Sequence, residues 1–137
     1  MSQITLNTLK KHRAEGTKFS MVTAYDACFA AIASSAGIDA ILVGDSLGMV
    51  LQGHTNTLPV KVEDVAYHTA CVTASSQQCL IVSDIPFMAS ATTQNAIDTA
   101  RTLMQSGAHV VKIEGGINLV PLIKIYRDQG VATCCHL

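Results

Sequence analysis

The sequence predicts an α/β fold of parallel strands and crossover helices, built as part of a (β/α)8 barrel. Three observations carry that reading. After one opening helix the chain alternates strand and helix four times and then enters a fifth strand, the pattern of parallel strands joined by crossovers. Polar or charged groups stand where successive strands end, at Asp45, Asp84, Lys112 with Glu114, and His136. In parallel α/β folds such ends share one functional rim. No closing helix follows strand five within the 137 residues, although a doubly wound five-stranded sheet normally carries one. A complete barrel takes about 250 residues, so residues 1–137 read as a single domain, a truncated barrel of a little over half. The doubly wound sheet fits the length and stays open as the competing architecture.

The elements follow in order. Ile4–Arg13 reads as a helix with Leu6, Leu9 and Lys10 at helical spacing and Gly16 closing it. Phe19–Thr23 is strand one. Asp26–Ser35 is an alanine-rich helix ended by Gly37. Ala40–Val43 is strand two, followed by a long loop from Gly44 to Pro59. Loops of that length in compact domains are usually functional or disordered. In the next helix Glu63 and Asp64 occupy the first turn, where the dipole favours acids, and Val62, Val65, Ala66, Thr69 and Val72 form its apolar face. Leu80–Ser83 is strand three, stopping at Asp84-Ile85-Pro86. Thr92 caps a helix with the face Ala96, Ile97, Ala100, Leu103 and Met104, and Gly107 ends it. His109–Glu114 is strand four. Asn118 is expected to cap the helix that runs through Gln129, with Leu119, Leu122, Ile123 and Tyr126 inward, before strand five at Val131–Cys135.

Composition narrows the function. The chain is 49% hydrophobic and 14% charged, against roughly 25% charged residues in an ordinary soluble domain. Much of its exterior is therefore expected to be covered, by further sequence or by partner subunits. The net charge is −1, and there is no basic run and no Trp, which argues against nucleic-acid binding. Nowhere do about 18 apolar residues follow one another, and residues 1–16 lack a signal-peptide pattern, so no membrane association is expected. Five cysteines form no CxxC pair. They read as small buried residues in a reducing, cytoplasmic setting, with adjacent Cys134 and Cys135 disfavoured as a metal or redox pair.

The strand ends suggest a chemistry. Asp45, Asp84 and Glu114 are hard oxygen ligands of the kind Mg²⁺ takes, with water and substrate oxygens completing the shell. Lys112 alternates with Glu114 on one strand, so both face the same way. A lysine beside such a metal suits a small acid that chelates through carbonyl and carboxylate. Thr23, Tyr25, Asp26 and His136 stand on the same rim. Each group also has a structural reading: an Asp can cap a helix, Lys112 and Glu114 can be a surface pair, Gly115-Gly116 can be a turn or an anion nest, and His136 can be structural. His54 and His68 read as loop and helix-surface residues. Convergence at one rim favours the site.

Several stretches resemble one family. Thr23-Ala24-Tyr25-Asp26, Val43-Gly44-Asp45-Ser46-Leu47-Gly48-Met49, Gln52-Gly53-His54, Thr57-Leu58-Pro59-Val60, Tyr67-His68-Thr69, Asp84-Ile85-Pro86-Phe87-Met88 and Val111-Lys112-Ile113-Glu114-Gly115-Gly116 are similar to ketopantoate hydroxymethyltransferase, from about Ile4 to the last residue. The resemblance implies a (β/α)8 barrel of the phosphoenolpyruvate mutase-like superfamily and a large homo-oligomer, a decamer in the family. It implies transfer of a one-carbon unit from 5,10-methylenetetrahydrofolate to 3-methyl-2-oxobutanoate, giving 2-dehydropantoate for pantothenate and coenzyme A synthesis. By matching motif, Asp45, Asp84 and Glu114 would hold Mg²⁺, while Asp45, Ser46, Asp84 and Lys112 would contact the keto acid. The family's general base is a glutamate on a later strand, so no catalytic base is expected within residues 1–137. The chain departs from the family at Cys135, where glycine is usual, which leaves the role of His136 open. Other readings are a catalytically inactive fragment of that enzyme, a related Mg²⁺-dependent lyase or mutase, and a receiver-like signalling domain. The last should cluster acids at the end of strand one, where Thr23–Asp26 supplies one.

Overall fold

The computed structural model describes residues 3–76 and 78–137. Helix α1 (Leu6–Glu15) precedes β1 (Met21–Thr23), α2 (Ala27–Ser35), β2 (Ala40–Val43), α3 (Leu47–Val50) and α4 (Val62–Ser75). Then come β3 (Leu80–Asp84), α5 (Thr93–Gln105), β4 (Val110–Glu114), a 3₁₀ turn at Ile117–Leu119, α6 (Val120–Asp128) and β5 (Thr133–His136). All neighbouring strands pair in parallel, in the order β1-β2-β3-β4-β5. That order decides between the two architectures. A doubly wound sheet reverses direction at a switch point, whereas here every crossover steps the same way, as around a barrel. The receiver-like reading falls with the doubly wound sheet.

Strand periodicity divides the core in two. Ile41, Val43, Ile81, Val111 and Ile113 point to the helical layer, where they join Ala30, Val65, Val72, Ala100, Leu103 and Tyr126. Burying each such side chain contributes about 1.5–3 kcal/mol. The alternate residues Ala40, Leu80, Val82 and Val110 form a second cluster on the opposite face, with Leu42, Ala132 and Cys134 at its margin and Ile4 and Leu9 packed against it. Helix α1 thus covers the concave face, held by a capping box between Thr5 and Thr8 and by Ile4 N–H donating to Gln78 O at 2.8 Å. Asp84, Lys112, Glu114 and His136 continue the alternation of that second face. It is apolar where α1 packs and charged at the strand C-termini.

Several expectations need correcting. The loop after β2 contains one helical turn, α3, whose amides bond back to carbonyls from Gly44 to Leu47. Asn118 does not cap α6: it lies in the 3₁₀ turn, and α6 starts with Pro121 in its first turn and no side-chain cap. Pro suits that place because its missing N–H would be unpaired there anyway. Strand β1 begins at Met21 rather than Phe19, and β5 covers Thr133–His136 rather than Val131–Cys135. Among the five cysteines Cys79 alone is buried, while Cys28 and Cys135 are exposed. Cys28 sits on the outward side of α2, and Cys135 lies on an edge strand. No helix among the described residues is long and apolar enough to cross a membrane.

Candidate functional site

The register of the sheet assembles the charged cluster. Asp84 pairs with Lys112 across β3 and β4, and Glu114 pairs with His136 across β4 and β5. Lys112 Nζ donates to Glu114 Oε1 at 2.7 Å and lies 3.1 Å from Asp84 Oδ1. The second contact has ion-pair distance but not hydrogen-bond direction, so Asp84 Oδ1 stays buried without a hydrogen bond. Burial raises the Asp84 carboxyl above its ordinary value, and the nearby Lys112 charge only partly offsets this. For Lys112 burial acts downward, yet its hydrogen bond to Glu114 and the charge of Asp84 prevail, leaving the ammonium raised. Glu114 is mostly exposed, and the hydrogen bonds from Lys112 and from His136 Nδ1 (2.7 Å) hold it down at about 2.

The turn after β2 supplies the other half. Asp45 N–H donates to Asp84 Oδ2 at 3.1 Å, and the Asp45 charge contributes to raising the Asp84 carboxyl. Gly44 makes the approach possible: a Cβ there would lie 2.9 Å from Ser46 Oγ and 3.1 Å from Asp84 Oδ2. Ser46 Oγ is 2.7 Å from the hydroxyl of buried Tyr25. His68 Nδ1 donates to the Tyr25 carbonyl at 2.7 Å, and its ring meets the Tyr25 ring edge-on. Asp45, Asp84 and Glu114 line one cavity of about 240 Å³ together with Thr57, Leu58 and Ile85–Met88.

The predicted residues therefore divide. Asp45, Ser46, Asp84 and Lys112 meet at one place, and Glu114 stands across Lys112 with His136 beyond it. Asp26 is a helix cap, accepting from Phe29 N–H at 2.8 Å, and Thr23 is exposed. His68 is no surface residue; its partner Tyr25 is 43 positions away, a distance at which local pattern carries no information. The Tyr25–Ser46 contact went unread for the same reason, although both residues lie in quoted motifs. Among the described residues no three His, Cys, Asp or Glu side chains are disposed to hold a metal by themselves. The donor chemistry nevertheless fits Mg²⁺, which keeps several waters and needs only one or two protein carboxylates. A buried Asp84 oxygen without a hydrogen bond, in a cavity shared with Asp45, offers that.

The profile of ketopantoate hydroxymethyltransferase matches residues 3–137. The chain belongs to this family. It is 56% identical to the 3-methyl-2-oxobutanoate hydroxymethyltransferase of Shewanella denitrificans over its whole length, covering 52% of that protein. It is 55% identical to the enzyme of the same name from Psychrobacter arcticus over 133 residues, covering 50%. The chain thus spans about half the length of the curated relatives it matches. Among solved structures it is similar to 2,3-dimethylmalate lyase, a member of the PEP mutase/isocitrate lyase superfamily, with a TM-score of 0.71 at 15% identity over 98% of this chain and 51% of that one. It is also similar to phosphonopyruvate hydrolase, solved with oxalate and Mg²⁺, with a TM-score of 0.66 at 14% identity over 83% of this chain and 39% of that one. At these identities the likeness concerns the fold: a five-stranded part of a (β/α)8-type barrel of that superfamily.

Proposed function

We propose that the chain forms the metal- and keto-acid-binding half of a Mg²⁺-dependent hydroxymethyltransferase. The reaction moves a one-carbon unit from 5,10-methylenetetrahydrofolate to 3-methyl-2-oxobutanoate and yields 2-dehydropantoate. The observation that carries the reading is Asp84, whose buried oxygen lacks a hydrogen bond in a cavity shared with Asp45 and beside the Lys112 ammonium. Asp45, Asp84 and Glu114 are the residues that would hold the metal. Bound there, Mg²⁺ would supply Lewis-acid polarisation of the keto oxygen, which acidifies the C3 hydrogen.

The chain's own groups do the rest. Lys112 is raised and so stays protonated at neutral pH; it acts as a fixed positive charge toward the acid and its developing negative charge, not as a base. Ser46 meets the keto acid with a hydroxyl held in place by Tyr25. Glu114, at about 2, is too weak a base to take a C–H proton efficiently. The general base therefore lies on a later strand, beyond Leu137, as the family resemblance implies. Assembly into a homo-oligomer is supported by α2, which carries no charged residue and leaves Phe29 and Ile32 exposed beside exposed Tyr67 of α4. A cytoplasmic location accords with the free cysteines.

The test is tetrahydrofolate-dependent formation of 2-dehydropantoate by the 137-residue chain, beside a version extended with the C-terminal half of a relative. The extended version should turn over. The shorter one should be slower by at least the contribution of a base, about 10²–10⁴-fold. Equal turnover would place the base within residues 1–137, and no product from the extended version would refute the activity.

A further inference from the structure

We propose that Leu58, Phe87 and Met88 form a second subsite at the mouth of the acidic cavity, which takes the planar ring of a reduced pterin donor. The inference rests on the reaction proposed above and assigns the place of its larger substrate. The cavity changes character from floor to mouth. Asp45, Asp84 and Glu114 form its polar part, whereas Leu58, Ile85, Pro86, Phe87 and Met88 form an apolar lip. Leu58, Phe87 and Met88 are 56%, 59% and 62% exposed, three large apolar side chains where connecting loops are ordinarily polar.

Missing strands do not account for that exposure. The lip is carried by the loop after β3, the middle strand of five, and by the segment between α3 and α4. Further strands pair at the β1 and β5 edges, two strands away on either side.

The backbone is also arranged to keep these side chains in place. Ala89 N–H donates to Pro86 O at 3.1 Å, closing a turn with Phe87 and Met88 at its two central positions. Met88 has φ 61°, the one non-glycine residue with positive φ among the described residues. The third turn position at positive φ is ordinarily glycine or asparagine, because a side chain there is strained by about 1–2 kcal/mol. The turn is tied down by Thr99 Oγ1, which donates to Ala89 O at 3.0 Å. A large apolar group is thus held where a glycine would relieve the backbone.

Size selects the occupant. A cavity of about 240 Å³ suits a small branched keto acid and lies below the roughly 300–1,000 Å³ of pockets for larger ligands. A donor whose carbon must reach the bound acid has to rest its ring at the mouth. There Phe87 offers an aromatic surface and Met88 a thioether that packs well against ring edges.

The test uses the chain labelled with ¹³C at its methionine methyls and titrated with tetrahydrofolate. The Met88 methyl, identified by its loss in Met88→Leu, should shift by ring current, while the methyls of Met21 and Met104 stay in place. Phe87→Ala should weaken tetrahydrofolate binding about tenfold while Mg²⁺-dependent keto-acid affinity stays within about twofold. Saturation with tetrahydrofolate without movement of Met88, or wild-type affinity in Phe87→Ala, would overturn the subsite. So would a Met88 shift that follows protein concentration instead of tetrahydrofolate, since a second copy would then cover the lip. A chain that binds the keto acid with Mg²⁺ but no tetrahydrofolate overturns the subsite alone. A chain that binds neither overturns the proposed reaction itself.

Discussion

Replacing Lys112 with methionine keeps the length of the side chain and deletes its charge. In the native cluster the ammonium sits 3.1 Å from Asp84 Oδ1, with side-chain exposures of 19% and 11% for the two partners. Removing one partner of a buried pair costs about 3–5 kcal/mol, because the other charge stays behind uncompensated. Asp84 keeps the hydrogen bond from Asp45 N–H, and Lys112 is not fully enclosed, so the low end applies: about 3 kcal/mol at pH 7. Loss of the Glu114 bond adds little, since Glu114 is exposed to solvent. The sign with pH follows from Asp84. Its carboxyl is already raised by burial, and Lys112 is the main influence lowering it. Without Lys112 the folded state binds this proton more tightly than the unfolded chain does, so stability falls as pH rises. Urea unfolding in metal-free buffer should therefore show a smaller loss at pH 5 than at pH 7. A loss below about 0.5 kcal/mol at pH 7, or the same loss at both pH values, would refute a buried, electrostatically strained Asp84.

Three further outcomes are expected. Tyr25→Phe keeps the buried ring but removes the contact to Ser46, so it should cost about 0.5–1.5 kcal/mol in urea unfolding and also weaken keto-acid binding; unchanged affinity would separate Ser46 from the acid. His109 Nδ1 accepts from Ile81 N–H at 2.9 Å, and burial lowers the ring below its ordinary value of 6.5. Its contribution is thus complete above pH 6.5 and is lost as pH falls through the depressed folded value; the melting temperature should drop along that path and drop less in His109→Asn, and parallel profiles would contradict this. Saturating Mg²⁺ at about 100 times its dissociation constant should stabilise the chain by about 2.7 kcal/mol, an effect that Asp45→Ala should abolish and that its persistence would disprove.

Strands and crossover helices were legible because both periods are strong in this chain, and strand ends marked by Asp84 and Lys112 located the rim. What escaped the sequence was non-local or held by backbone alone. Helix α3 is one turn containing Gly48, stabilised by amide-to-carbonyl bonds that leave no side-chain signature. The start of α6 is set by Pro121 and a 3₁₀ turn, which displaced the plausible cap Asn118. Tyr25, Ser46 and His68 come together only because β1, the turn after β2 and α4 converge. The cysteines misled for a simple reason: a small side chain suits an uncharged helix surface as well as a core, and Cys28 took the surface of α2.

The central claim is that Asp84 and Asp45 hold a metal that in turn holds the keto acid. Calorimetric titration of the chain with 3-methyl-2-oxobutanoate, with Mg²⁺ and with chelator, tests it most directly, alongside Asp84→Asn. Binding should require Mg²⁺ and disappear in the Asp84→Asn chain. Equal affinity in chelator, or undiminished affinity in Asp84→Asn, would contradict it.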